Sequence, residues 1–160
     1  MDRRNTGFSL IELLIVVAII LVIAAIAIPN FMRSRMAANQ ASAVASLRTL
    51  NTSEVAYSAT YGSGFTTDLA SLAPVPGGGT PTSTAAGLID SVLALGVKSG
   101  YSFSYSPGAS DSSGRINSYE FDASPISSNT GINYYYTDQS GVVRFNATAM
   151  AASTDSPLAG

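Results

Sequence analysis

The stretch Phe8 to Ile28, FSLIELLIVVAIILVIAAIAI, holds one charged residue, and from Leu13 onward it is apolar without interruption. At about 1.5 Å per residue, a helix over it spans roughly 31 Å, the thickness of one bilayer core. It is read as a membrane helix. The polar residues before it, Met1 to Gly7, include Arg3 and Arg4, which suit a cytoplasmic start, although Arg33 and Arg35 on the far side weaken that signal. The exception is Glu12. Inserting a carboxylate into hydrocarbon costs about 2.5 kcal/mol or more, so Glu12 either stays near the headgroups, takes a proton, or has a cation. Cleavage between Gly7 and Phe8 would create such a cation, because the new α-amine and Glu12 at i+4 share a helix face. A paired carboxylate is less costly to bury than a lone one. The amine could be the chain's own or that of a neighbouring copy in a staggered assembly.

Outside this stretch, composition removes several function classes. The chain has 160 residues, 46% of them hydrophobic and 11% charged, which leaves room for one ordinary domain and no large multidomain enzyme. The charged fraction is under half of the roughly 25% usual in soluble domains, and Ser, Thr and Asn after residue 40 supply the polar surface instead. That favours an extracytoplasmic location. A net charge of −2 with scattered Lys and Arg gives no footprint for nucleic acid. With no His and no Cys, the usual zinc ligands, Ser-His-Asp and Cys-His arrangements and disulfides are all missing. No cofactor and no metal centre is expected.

Pro29 removes a backbone donor and would clash with the Ala25 carbonyl, so a kink is expected there without a stop. From Asn30 to Thr60 there is no Gly or Pro. Apolar residues at Ala37, Ala41, Val44, Leu47, Leu50 and Val55 mark an amphipathic helix. A continuous helix from Phe8 to Thr60 would be roughly 80 Å long, too long for some 100 further residues to cover. Something else must bury its first half. Gly62 and Gly64 end it. Gly77-Gly78-Gly79 lacks the Lys and Ser/Thr of a phosphate loop and is read as a turn. Ala85 to Leu95 is predicted to be a short helix, opened by Ser83 or Thr84 and closed by Gly96.

Tyr101-Ser102-Phe103-Ser104-Tyr105-Ser106 alternates with a period of two, the mark of a half-buried strand. Further strands are predicted at Ile116 to Ala123, Ile132 to Tyr136 and Val142 to Phe145, with turn chemistry between them. The expected fold class is α+β: a long N-terminal helix whose C-terminal half packs on an antiparallel meander of roughly four strands. In order, the parts are a leader at 1–7, a hydrophobic helix at 8–29, its amphipathic continuation at 30–60, a Gly/Pro-rich loop with a short helix at 61–100, the sheet at 101–146 and a tail at 147–160.

Gly7-Phe8-Ser9-Leu10-Ile11-Glu12-Leu13, the apolar run after it and Ala27-Ile28-Pro29 resemble the N-terminus of class III prepilins, precursors of type IV pilins and type II secretion pseudopilins. The resemblance implies a type IV pilin-like fold, cleavage after Gly7 by an inner-membrane prepilin peptidase, and N-methylation of Phe8. It also implies that Glu12 pairs with the N-terminal amine of an adjacent subunit, and that the helix leaves inner-membrane lipid for the core of a homopolymeric helical filament. Pilus or type II secretion assembly machinery would be the partner. The C-terminal region, with its YYYTDQSGVVR hairpin, is also similar to pilin and major pseudopilin heads. Many large pilins close that region with a disulfide, which this chain lacks, so packing, hydrogen bonds or an ion must do so. Some major pseudopilins bind calcium there, and Asp111, Glu120, Asp122, Asp138 and Asp155 could offer oxygens. No EF-hand spacing is present, and these carboxylates are read as solvated.

The leading functional reading is a structural subunit of a type IV pilus, at the cell surface after assembly, with a periplasmic pseudopilus subunit as the alternative. An ordinary secretory signal cut after Ala25-Ile26-Ala27 would instead release a soluble binding module starting at Ile28. An uncleaved anchor leaves Glu12 unexplained. Glu120 and Asp122 offer the only acid-base pair for an enzyme and read better as solvated strand residues. The tyrosines could serve adhesion or charge transport but read first as core and rim. Asn51-Thr52-Ser53 and Asn146-Ala147-Thr148 fit the N-glycosylation pattern and stay unassigned.

Overall fold

A computed structural model of the chain describes residues 8–158. Helix α1, Leu10–Tyr61, is followed by a 3-10 turn at Leu69–Leu72 and the single-turn helix α2, Ser91–Ala94. The strands are β1 (Val97–Lys98), β2 (Tyr101–Pro107), β3 (Tyr119–Pro125), β4 (Tyr134–Asp138) and β5 (Arg144–Asn146). They form one sheet in the order β1-β2-β3-β4-β5 with every pair antiparallel, a meander in which each strand pairs with its neighbour in sequence. The arrangement is α+β and pilin-like. The chain divides into two compact units between Arg35 and Met36.

The second unit is the head. Ala43, Leu47, Leu50, Glu54 and Tyr57 of α1 are buried at helical spacing and belong, Glu54 apart, to the core cluster that includes Tyr101 and Phe103 of β2, Tyr119, Phe121 and Ala123 of β3 and Tyr135 of β4. The period of two along β2 and β3 turns these aromatics to one face and leaves Ser102, Ser104 and Glu120 exposed on the other. Phe121 stacks with Tyr105 at 4.8 Å and meets Tyr119 edge-on at 5.4 Å.

Two departures concern which helix residues are covered. Val55 is exposed, as are Ala37 and Ala41. At 3.6 residues per turn Val55 lies about 20° beyond Val44, and Val44 already sits at the edge of the covered arc. That arc instead takes in the polar residues Asn51 and Glu54. Asn51 is satisfied there, since its Nδ2 donates to Thr137 Oγ1 at 2.8 Å and its Oδ1 accepts from the Tyr119 hydroxyl at 3.1 Å. Thr137 passes the chain on to the Val142 carbonyl. A completed network of this kind fixes the register of helix on sheet, because a slip would strand buried polar atoms.

The segment between α1 and the sheet departs further from expectation. The helix predicted over Ala85 to Leu95 contracts to Ser91–Ala94, capped by Asp90, whose Oδ1 accepts from Val92 N and Leu93 N. Gly87 has φ +66, a left-handed backbone that cannot propagate a right-handed helix. Lys98 pairs with Asp90 at 2.8 Å and, with the amide of Leu93, holds that carboxyl below the usual range. Val75-Pro76-Gly77-Gly78 closes a turn through Gly78 N to Val75 O, with φ +76 at Gly77, the geometry of Pro-Gly type II turns.

The meander has a fifth strand, β1, in the segment read as loop. At the other edge, β5 starts at Arg144, because the Val143 carbonyl is taken by Leu158 N and Phe145 N donates to Ser156 O. The tail thus lies alongside β5. Asp155 holds it, accepting from Ala152 N at 2.8 Å and from Asn146 Nδ2, while its carbonyl accepts from Arg144 Nη1. Leu158 packs against the core. Hydrogen bonds and one apolar anchor therefore close a C-terminal region that contains no cysteine.

Candidate functional site: the N-terminal helix

The sequence points to residues 7–29, and the structure describes them from Phe8. Gly7 and the rest of the leader lie outside the described residues. α1 starts with a reciprocal cap: Ser9 N donates to Glu12 Oε2 at 2.9 Å, and Glu12 N donates to Ser9 Oγ at 3.4 Å. Leu13 N then bonds to Ser9 O, the first turn of the helix. With Ser9 at the N-cap and Glu12 at N3, this is a capping box, and the carboxylate also sits at the positive end of the helix dipole. Sequence reasoning singles out Glu12 and passes over Ser9. The Ser-x-x-Glu spacing ahead of an apolar run is the available signal.

Beyond the cap, every residue from Phe8 to Phe31 is exposed except Ala24, which is half-buried. Phe8 is 81% exposed and Leu10 82%. Among the described residues α1 is the one helix long and apolar enough to cross a membrane, and none of its most apolar window is buried. At roughly 25 cal/mol per Å² of apolar surface, a fully exposed face of Leu, Ile and Val is far from stable in water and needs lipid or other protein. Pro29 lies inside α1, which is helical on both sides of it. The helix tolerates the missing N–H of proline, and no polar residue stands between Leu13 and Ile28 to compete for the freed carbonyl.

The other residues raised by the sequence are placed as follows. Asp111 is bound within its own turn, accepting from Ser113 N and Oγ, Arg115 N and Asn117 Nδ2, which holds its carboxyl well below the usual range. Asp138 Oδ1 takes Ser140 N. Glu120 and Asp122 share the face opposite the core, where burial first and then the Glu120 charge push the Asp122 carboxyl up. Among the described residues no group of three acidic side chains is placed to hold a metal ion. Asn51 is buried in the Thr137 and Tyr119 network. Asn146 turns its oxygen to Thr148 N, Thr148 Oγ1 and Ala149 N.

Residues 2–28 match the prokaryotic N-terminal methylation motif. The chain is also similar to the type IV major pilin protein PilA of Myxococcus xanthus (strain DK1622), with 48% identity over 56 residues, 35% of this chain and 26% of that protein. The aligned region is thus about a quarter of the relative's length. No solved structure matches the chain. The likeness is to a structural subunit and not to an enzyme. The methylation motif and this similarity are likenesses to type IV pilins, and the long helix followed by an antiparallel sheet is a pilin-like arrangement.

Proposed function

We propose that the chain is a structural subunit of a type IV pilus. In this reading it is inserted in the inner membrane through Phe8 to Ile28, cleaved after Gly7, N-methylated at Phe8 and polymerised through its N-terminal helix. The observation that carries it is the long, exposed, apolar segment with a single carboxylate, Glu12, in its first turn. A lone acid there is unfavourable in lipid and useful only beside a cation. The Phe8 amine freed by cleavage would be such a cation. Glu12 would then exchange the Ser9 amide for the amine of an adjacent subunit. Small residues Ala18, Ala24, Ala25 and Ala27 would let neighbouring helices approach closely, with Pro29 as the bend at the end of the buried segment. Prepilin peptidase and the pilus assembly machinery are the partners this implies, and the protein would pass from the inner membrane to the cell surface.

A pseudopilus subunit would share every one of these N-terminal features. The similarity to a major pilin favours the pilus. Shearing intact cells and imaging the released fraction with an antibody to the head separates the two. Long labelled fibres are expected. Antigen confined to the cell envelope, with no labelled fibres, would favour the periplasmic pseudopilus.

A further inference from the structure

Glu54 has no part in the pilus reading. It lies on α1 with 0% exposure, and no ion pair reaches it among the described residues, where Lys98 to Asp90 is the pair present. Both its oxygens go to one residue: Oε2 accepts from Thr66 N at 3.0 Å, and Oε1 shares a hydrogen bond with the Thr66 hydroxyl at 2.5 Å. Thr66, itself fully buried, gives its carbonyl to the Tyr105 hydroxyl of β2 at 2.7 Å. Thr66 therefore ties the connector leaving α1 to the helix on one side and to the sheet on the other. The same connector bonds through Phe65 N to Ile116 O at 2.8 Å. At Gly64 its backbone passes so close to Ile116 that any Cβ would collide with the Ile116 carbonyl.

We propose that Glu54 is a protonation-controlled tether: as the neutral acid, with Oε2 accepting from Thr66 N and its own proton donated from Oε1 to Thr66 Oγ1, it fastens the connector around Thr66 between helix and sheet, and loss of that proton leaves an unpaired charge in the core and loosens the connector. A carboxylate with no cation and no solvent is disfavoured as the ion. The titratable groups facing it bring no compensating charge. They are Tyr57 on its own helix, Tyr105 from β2 and Tyr119 from β3, all phenols pushed upward, first by burial and further by the Glu54 charge. Asp68, in the connector, acts on Tyr57 with the same sign. Burial outweighs the Thr66 hydrogen bonds and the weaker pull of the Tyr105 hydroxyl, and moves the Glu54 carboxyl above its ordinary value.

The sign of the linkage is fixed by that direction. A carboxyl raised on folding contributes stability that is complete below its unfolded value and is lost as pH rises through its folded value. Asp90 and Asp111, which are lowered, act in the opposite sense, so the test compares variants and not one curve. Melting temperatures of the full-length chain in detergent micelles, wild type against Glu54→Gln, are measured from about pH 4 to pH 8. The two should nearly coincide at the acid end. Above it the glutamine variant should pull ahead by about 5 °C for each tenfold shift in the folding equilibrium, levelling off once Glu54 is ionised. In the wild type alone, the amide protection of Phe65 and Thr66, corrected for intrinsic exchange, should fall over the same range.

A gap that does not change with pH, or protection equal in both proteins, would overturn the tether. Thr66→Val removes only the hydroxyl and should move the Glu54 carboxyl resonance titration further upward. A step at or below the ordinary glutamate range would also contradict it.

Discussion

Glu12→Ala and Glu12→Gln are both expected to abolish surface filaments while leaving the chain in the membrane. The two substitutions separate the roles that Glu12 can fill. In the subunit it completes the cap with Ser9, an interaction of about 1 kcal/mol, and glutamine at N3 keeps that cap because its side-chain oxygen can still accept. If capping were the purpose, Glu12→Gln would assemble nearly as well as wild type. If the carboxylate instead meets the Phe8 amine of a neighbour, both variants lose it. Opposite charges about 4 Å apart interact by roughly 4 kcal/mol at an effective dielectric of 20. Loss of even about 1.4 kcal/mol per subunit raises the concentration needed for assembly tenfold. Insertion should be unharmed, since removing a charge makes the segment easier to place in lipid. Sheared-fibre yield and membrane content, measured together, check both halves. Filaments from Glu12→Gln at wild-type yield would refute the charge pairing.

Phe121→Ala should be the most damaging substitution in the head. The ring is fully buried on the inner face of β3, between Tyr105 and Tyr119. Truncation of such a ring costs about 3 to 5 kcal/mol through lost transfer energy and the cavity left behind. Whole domains hold only about 5 to 15 kcal/mol, so the variant is expected to be poorly accumulated, or to melt at least about 10 °C lower. Thermal unfolding followed by near-ultraviolet circular dichroism, which reads the packed tyrosines, measures it. A change of only one or two degrees would mean that this face of β3 is not the core.

These two residues also show what can be read in advance. Phe121 belongs to the alternation that runs through Tyr119 and Ala123, and aromatics repeating with a period of two fit a half-buried strand and little else. The long helix is equally plain, because an uninterrupted apolar run and, past Pro29, 31 positions without Gly or Pro leave little room for another structure. The features that local sequence hides are short or polar. β1 is two residues long and is defined by the turn at Ser99 and Gly100, below the length at which periodicity can be seen. The 3-10 turn at Leu69–Leu72 depends on Asp68, which accepts from Ser71 N, a contact of four residues with no apolar pattern.

Ile116, where the sequence suggests the start of a strand, pairs instead with Gly64 and Ser110 as isolated bridges, a long-range choice invisible in local sequence. Glu54 escapes a sequence reading because a carboxylate in an amphipathic helix is assigned to water by habit. Yet Leu47, Leu50, Glu54 and Tyr57 stand on one arc, and that spacing is open to inspection. At the site, Glu12 stands out as a charge among apolar residues. Ser9 does not, since its meaning lies only in its distance from Glu12.

The central claim is that Gly7 and Phe8 mark a processing point and that the chain assembles from Phe8 onward. Intact mass and N-terminal sequencing of the protein recovered from the sheared surface fraction test it most directly. A chain beginning at N-methylated Phe8 is the predicted result. A chain beginning at Met1, or a soluble form beginning at Ile28, would contradict it.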